Sequence, residues 1–281
     1  MIIDAHQHFW SLDAPWRAWP TPDLQAIYRD FGPSDLVPLI TEAQVTGSVL
    51  VQAAPDVRET AAMLSIAQQK DPILGVVGWV PFAEPDNAIA CLAKFSADLH
   101  FKGVRPMLQD MDDAYWILNK EHAPIFEDLI SRRLTFDALI RPRHLPAIAV
   151  LAERYPTLPI VLNHAAKPDM ASGEREPWAS DIARFSDLRN VSCKLSGLLT
   201  EAAPGQQLAD IALYTDVCLA VFGSSRLIWG SDWPVLNLRG SYRRWLEQAR
   251  TLMAALDDQA QTDVFGANAQ RFYKLTQENN A

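Results

Sequence analysis

Short apolar runs alternate with longer stretches of helical periodicity along the whole chain. The runs are 1–9, 47–53, 73–80, 101–107, 134–140, 158–165, 190–196 and 226–232. Most are rich in Val, Ile and Leu and almost unbroken in apolar character. Strands covered on both faces in a parallel sheet look like this, whereas a sheet with one wet face alternates. Between them, apolar residues recur at three- and four-residue spacings over 34–45, 58–70, 86–99, 119–132, 144–155, 205–222 and 240–256. Ser34 is placed to cap the first helix. Residues 174–187 give a weaker helical pattern, and a last helix is expected over 258–276.

Eight strands, each followed by a helix, predict an α/β fold, the (β/α)₈ TIM-type barrel. A doubly wound sheet has the same alternation. Two features favour the barrel. No GxGxxG follows the first strand, and chemically capable side chains fall at the C-terminal ends of many different strands, where barrel active sites lie. No linker or low-complexity tract divides the sequence, so residues 1–281 are expected to form one domain.

Composition narrows the function. The chain is 49% hydrophobic and 21% charged, enough apolar material for a large core, and carries a net charge of −9. An acidic surface without a basic stripe excludes nucleic acid and anionic membranes as natural partners. Three widely spaced cysteines, Cys91, Cys193 and Cys218, fit neither a disulfide framework nor a zinc knuckle. The opening "MIIDAHQHFW" has no signal-peptide pattern, and no run approaches the ~20 apolar residues of a membrane span. A soluble cytoplasmic protein is expected. A homo-oligomer is the common state of soluble enzymes.

The candidate chemistry begins at "DAHQHFW", residues 4–10. Residues i and i+2 of a strand share a face, so His6 and His8 project together near the end of strand one. The pair suits a divalent metal, a cationic group polarising a carbonyl, or two histidines hydrogen-bonded within the barrel. In "WGSDWP", Asp232 ends strand eight, which closure makes the neighbour of strand one. It is then a metal ligand or general base, or merely the cap of the next helix. His164 ends strand six. Lys194, within strand seven, must reach the mouth or pair with an acid. Asp137 and Arg141 share a face of strand five and could form an ion pair. Arg105 lies near the end of strand four. His100, His122 and His144 fall at helix boundaries and read as surface or capping residues. Two long loops should overhang the mouth: 10–33, with Trp10, Trp16, Trp19, Tyr28, Arg29 and four prolines, and 165–178, with Lys167, Asp169 and Trp178.

The motifs "DAHQHFW", "KGVRP", "NHAAKP", "CKLSG", "WGSDWPV" and "FGANAQRFY" resemble the amidohydrolase superfamily, and within it the amidohydrolase-2 lactonase group. They span residues 4 to 273. "HFWSLDAPWRAW" followed by "LQAIYRDFGPSDL" is most similar to the sugar lactonases, such as those opening L-fuconolactone or L-rhamnonolactone. The resemblance implies a distorted barrel that hydrolyses a sugar-acid lactone, a small molecule. It implies His6, His8, His164 and Asp232 as the catalytic cluster, and Arg105, Lys167 and Lys194 as substrate contacts. Trp16 and Trp19 would pack on the sugar ring or form lid core. The binuclear members carry a carboxylated lysine at the end of strand four and a histidine on strand five. Strand four here ends "KGVRP", with Lys102 at its start, and "LTFDALI" has no histidine. At most one divalent ion, zinc the first candidate, could then sit on His6, His8 and Asp232, with water or His164 completing the set, and no cofactor is obligatory. Three other readings stay open: a metal-dependent decarboxylase of the same superfamily, an aromatic-lactone hydrolase, and a non-catalytic barrel that binds a sugar acid.

Overall fold

The computed structural model describes residues 1–69 and 72–275. Eight parallel strands follow one another around the sheet in chain order: β1 (Ile3–Gln7), β2 (Gly47–Val51), β3 (Ile73–Gly78), β4 (Phe101–Val104), β5 (Thr135–Ala138), β6 (Ile160–Leu162), β7 (Val191–Leu195) and β8 (Leu227–Trp229). Helices follow the strands and cover the outside of the ring, as in a (β/α)₈ barrel.

The ring closes through the chain just beyond β8. The Asp232 N–H donates to the His6 carbonyl at 2.8 Å, and the His8 N–H to the Trp233 carbonyl at 2.7 Å. The register of β1 shifts between Asp4 and Gln7. Gly230 makes the close approach possible, because a Cβ there would stand 2.8 Å from the Cβ of His6. Asp4 accepts from the Ser231 N–H (2.8 Å), the Ser231 hydroxyl (2.6 Å) and the Tyr242 hydroxyl (2.9 Å). It ties the first strand to the last.

Two apolar clusters hold the layers. The large one lies between sheet and helices. The small one joins Ile3, Val49, Val77, Val161 and Ile228 from five strands to Ala269, Tyr273 and Leu275. Side chains from strands that far apart around the ring can meet only in its interior, so the C-terminal segment plugs the barrel.

Several helix limits move for identifiable reasons. The first helix is Pro33–Glu42, with Gly32 at the cap and Pro33 in its first turn, so Ser34 lies inside it and caps nothing. Lys70 of the second expected helix lies outside the described residues; the helix spans Val57–Ala67. The stretch 174–187 is helical only at Trp178–Ile182, followed by a 3₁₀ turn. The last segment is Asp258–Thr262, a π turn at Asp263–Ala267, then Asn268–Phe272; residue 276 lies outside the described residues. A short helix, Leu198–Glu201, has no counterpart in the sequence pattern. Among the described residues no helix is long and apolar enough to cross a membrane.

Candidate active site

Four side chains from three separate places converge at the C-terminal mouth of the barrel. Asp232 Oδ1 lies 3.4 Å from His8 Nε2, 3.7 Å from His6 Nε2 and 3.8 Å from His164 Nε2. All four residues are buried. Neither His164 nor Asp232 sits on a regular strand. β6 ends at Leu162, and His164 to Lys167 take left-handed backbone angles; Asp232 does so too, at φ 59°. Consecutive left-handed non-glycine residues are costly and persist where the surroundings fix them. Gly197 helps, since a Cβ there would stand 2.4 Å from His164 Nδ1.

The partners of the rings set what each can do. His8 Nδ1 lies 2.7 Å from the Val51 carbonyl. A carbonyl only accepts, so Nδ1 carries the proton and Nε2 turns a lone pair towards Asp232. His6 Nδ1 lies 3.1 Å from Lys194 Nζ, an ammonium that only donates. His6 Nε2 lies 3.2 Å from the His8 lone pair and 3.4 Å from Arg105 Nη1, also a donor; the shorter ammonium contact at Nδ1 and the His8 lone pair place the His6 proton on Nε2. His164 Nδ1 is hydrogen-bonded to the Ser196 hydroxyl at 2.9 Å.

Burial drives all three imidazoles down from the ordinary histidine value. His6 falls well below it, with Lys194 adding to the effect. His8 is lowered against the pull of Asp232, and His164 is held down at about 3. Burial alone would raise Asp232; its attraction for a proton taken up by His164 or His8 outweighs this and holds its carboxyl below the usual range. At neutral pH the site therefore presents one carboxylate among neutral imidazoles.

Arg105 follows β4 directly. Its Nη2 donates to both the carbonyl and Oε1 of Gln52, while Gln52 Nε2 donates back to the Arg105 carbonyl at 2.8 Å. Burial lowers the guanidinium to about 10, so it stays charged.

A pocket of about 370 Å³ opens over this group. Of the residues anticipated from sequence, His8, His164, Asp232, Arg105, Lys167 and Trp19 line it. His6 stands behind His8. Lys194 is fully buried beneath His6 and reaches Asp137 Oδ2 at 2.7 Å, away from the pocket. Asp137 also accepts from the Tyr273 hydroxyl at 2.8 Å and from Asn163 at 3.2 Å. This replaces the Asp137–Arg141 pair, because β5 ends at Ala138 and Arg141 is exposed beyond it. Trp16 lines a neighbouring cavity instead. Trp178 is core, donating to the Ala165 carbonyl, and Asp169 caps a surface turn. His122 and His144 are buried rather than on the surface; His122 packs against Trp116, while His144 keeps the capping role, accepting the Arg141 N–H at 3.2 Å.

The pocket also contains residues that the sequence did not single out. Glu201, on the short helix, pairs with Lys167 at 3.2 Å. Asp110, Gln109 and Thr200 add polar atoms to the wall. These positions lie in single helical turns, too short to leave a periodic mark in the sequence.

His6, His8 and Asp232 offer one ligand atom each within 4.8 Å of one another. The His8 lone pair already faces the shared space, and the two nitrogens and one oxygen are a donor set that suits a single divalent ion such as zinc. β4 and β5 contribute Arg105 and the Lys194-bound Asp137, so no second ion site is formed there.

Comparison with known proteins agrees with this geometry. The chain is 44% identical over 279 residues to an L-fucono-1,5-lactonase of Burkholderia ambifaria, covering 97% of this chain and 95% of that protein. It is 31% identical to an L-fucono-1,5-lactonase of Burkholderia multivorans, covering 99% and 98%. A crystal structure of an amidohydrolase from Burkholderia multivorans with bound zinc superimposes with a TM-score of 0.91 at 31% identity, over 98% of this chain and all of that one. The amidohydrolase family model matches residues 3–275, and the chain belongs to the amidohydrolase family.

Proposed function

We propose that the protein opens a sugar-acid lactone to the free acid, with L-fucono-1,5-lactone or a closely related aldonolactone as substrate. The observation that carries this reading is the ionised Asp232 among three neutral imidazoles, facing a 370 Å³ pocket that also presents the Arg105 guanidinium. The chain is a lactonase, a carboxylic ester hydrolase, in line with its Burkholderia relatives.

The pocket wall carries Arg105 and Lys167 against Asp110, Glu201 and Asp232. Lys167 is already paired. Such a wall favours a neutral, hydroxyl-rich ligand over an aromatic dicarboxylate. Hydroxyl groups can donate to Asp110 and Glu201, and Trp19 offers an apolar face to the C–H side of a ring.

Asp232 takes a proton from water as the oxygen attacks the lactone carbonyl carbon. Negative charge then develops on the carbonyl oxygen. His8 presents a lone pair and cannot donate, so Arg105, with His164, stabilises this oxyanion. When the C–O ring bond breaks, Asp232 returns the proton to the departing ring oxygen. His6 does not touch substrate; it orders His8 from behind. A divalent ion held by His6, His8 and Asp232 would supply Lewis-acid polarisation of the carbonyl.

A panel of aldono-1,4- and 1,5-lactones, followed by acid release above the spontaneous rate, tests the reading. Turnover is expected on a 1,5-lactone of the L-fucono type. A folded protein that accelerates none of them would refute it.

A further inference from the structure

Beside the reaction pocket lies a larger cavity, of about 610 Å³, that the chemistry above leaves unused. It is bounded on one side by the long loop after β1 and on the other by helix Val57–Ala67, whose Glu59, Ala62, Met63 and Ile66 face it at helical spacing. Trp19 and Ala53 are walls of both spaces. The two are therefore neighbouring compartments of one mouth.

Its lining is specific. Trp10, Trp16 and Trp19 contribute three indoles. Ala14, Ala53, Ala54 and Ala62 keep the space open where larger side chains would fill it. Four carboxylates line it: Asp13, Asp30, Asp35 and Glu59. Glu59 is the most enclosed, at 5% exposure. Its Oε2 accepts the Ala53 and Ala54 N–H groups at 3.0 and 2.8 Å, while Oε1 has no partner among the described residues. Burial raises this carboxyl to about 7. Among the described residues of the wall Arg17 is the one cation, and it is committed to the carbonyls of Leu12 (2.8 Å) and Pro20 (2.7 Å).

These features define the ligand's chemistry. Arg29 neutralises Asp35 at 2.8 Å. With Arg17 engaged as well, the described residues of the wall leave no free cation for a carboxylate or phosphate, and the carboxylates of Asp13 and Asp30 repel one. Carboxyl oxygens accept hydroxyl donors, and indole faces suit the apolar side of a pyranose. We propose that this cavity is a second carbohydrate subsite, taking a neutral hydroxylated ring joined to the lactone that occupies the reaction pocket. That the first ring is a lactone rests on the function proposed above; the subsite itself rests on its own lining.

Two measurements test it. The first is calorimetric binding of methyl α-L-fucopyranoside and methyl α-D-glucopyranoside, neutral rings with no hydrolysable lactone. At least one should bind to the wild type and equally to Asp232→Asn. Ala62→Trp, which fills the cavity from a half-buried helix position, should weaken that binding at least tenfold. Sodium D-gluconate, the charged counterpart, should not bind in the cavity. The second is hydrolysis of a monosaccharide aldonolactone beside the same lactone carrying a glycosidically linked sugar. Wild type should open both. Ala62→Trp should stay within about twofold on the first and fall at least tenfold on the second. Absence of glycoside binding, or binding unchanged in Ala62→Trp, would overturn the subsite. Wild-type turnover of the simple lactone alone would overturn the linkage between the two rings. If neither lactone is opened, the lactonase reading falls and the binding measurement still decides the subsite.

Discussion

Lys194 Nζ stands 3.1 Å from His6 Nδ1, and both residues are completely buried. An ammonium beside an imidazole is tolerable only because Asp137 lies 2.7 Å away on the other side, itself held by Tyr273 and Asn163. Lys194 is therefore an internal strut beneath the site. Replacing it by Met leaves the Asp137 carboxylate buried without its cation, and one-sided removal of a buried partner costs about 3–5 kcal/mol. The low end is expected here, since two hydrogen bonds to Asp137 remain. Urea denaturation should show Lys194→Met losing about 3 kcal/mol, and Lys194→Met with Asp137→Asn recovering much of it. A double variant no more stable than the single one would show that the pair is not coupled.

Among the described residues, Asp232 is the one carboxylate in contact with all three imidazoles. Asn keeps its shape and loses its basicity. Asp232→Asn should lower kcat on the best lactone by roughly 10²–10⁴-fold, the range for loss of a general base. Circular dichroism should be unchanged. Near-normal turnover in a folded variant would remove Asp232 from the role of base.

Much of this was legible in the sequence, and the rest was not for physical reasons. Eight apolar runs mark eight buried strands because a parallel sheet covered on both faces has nowhere to place polar residues. The residues that break those runs at their C-terminal ends, His8, Arg105, His164 and Asp232, line the pocket for the same reason. Lys194 raised a choice between reaching the mouth and pairing with an acid. Its partner Asp137 lies 57 positions away on β5, and sequence spacing paired that aspartate with Arg141 instead. Interior contacts across a barrel depend on closure, which no local pattern records. The left-handed turn at His164 and the helix bearing Glu201 escape periodicity because each is only one turn long.

The lowered imidazoles predict a pH profile. A free histidine takes up a proton near 6.5, whereas His164 does so at about 3, and His6 and His8 are also lowered. Asp232 is below its ordinary value as well, so it is ionised, and competent as a base, throughout the neutral range. Activity is lost only when falling pH protonates these groups. After subtraction of spontaneous hydrolysis, kcat/KM should be flat from pH 6.5 to 8, with its acid limb wholly below 6.5. An inflection at the ordinary histidine value would contradict the neutral, desolvated site.

Metal binding should be single and opposed by Lys194. β4 bears no ligand for a second ion and the Asp137 carboxylate of β5 is taken by Lys194, so zinc titrated into metal-free protein should saturate at one equivalent, and His8→Ala should abolish uptake. The opposition follows from the proton positions. His6 holds its proton on Nε2, towards the His8 lone pair at 3.2 Å, because Nδ1 accepts from Lys194. An ion on His6 Nε2 must move that proton to Nδ1, where it would confront an ammonium. Removing the ammonium should make the site tighter, although most partners of ligating histidines strengthen binding. Changes in such partners shift metal affinity by roughly 10–100-fold. Lys194→Met with Asp137→Asn, which keeps the interior free of an unpaired charge, should therefore bind zinc about tenfold more tightly than wild type by competition with a fluorescent chelator. Unchanged or weaker binding in the folded double variant would show that Lys194 does not set the His6 proton.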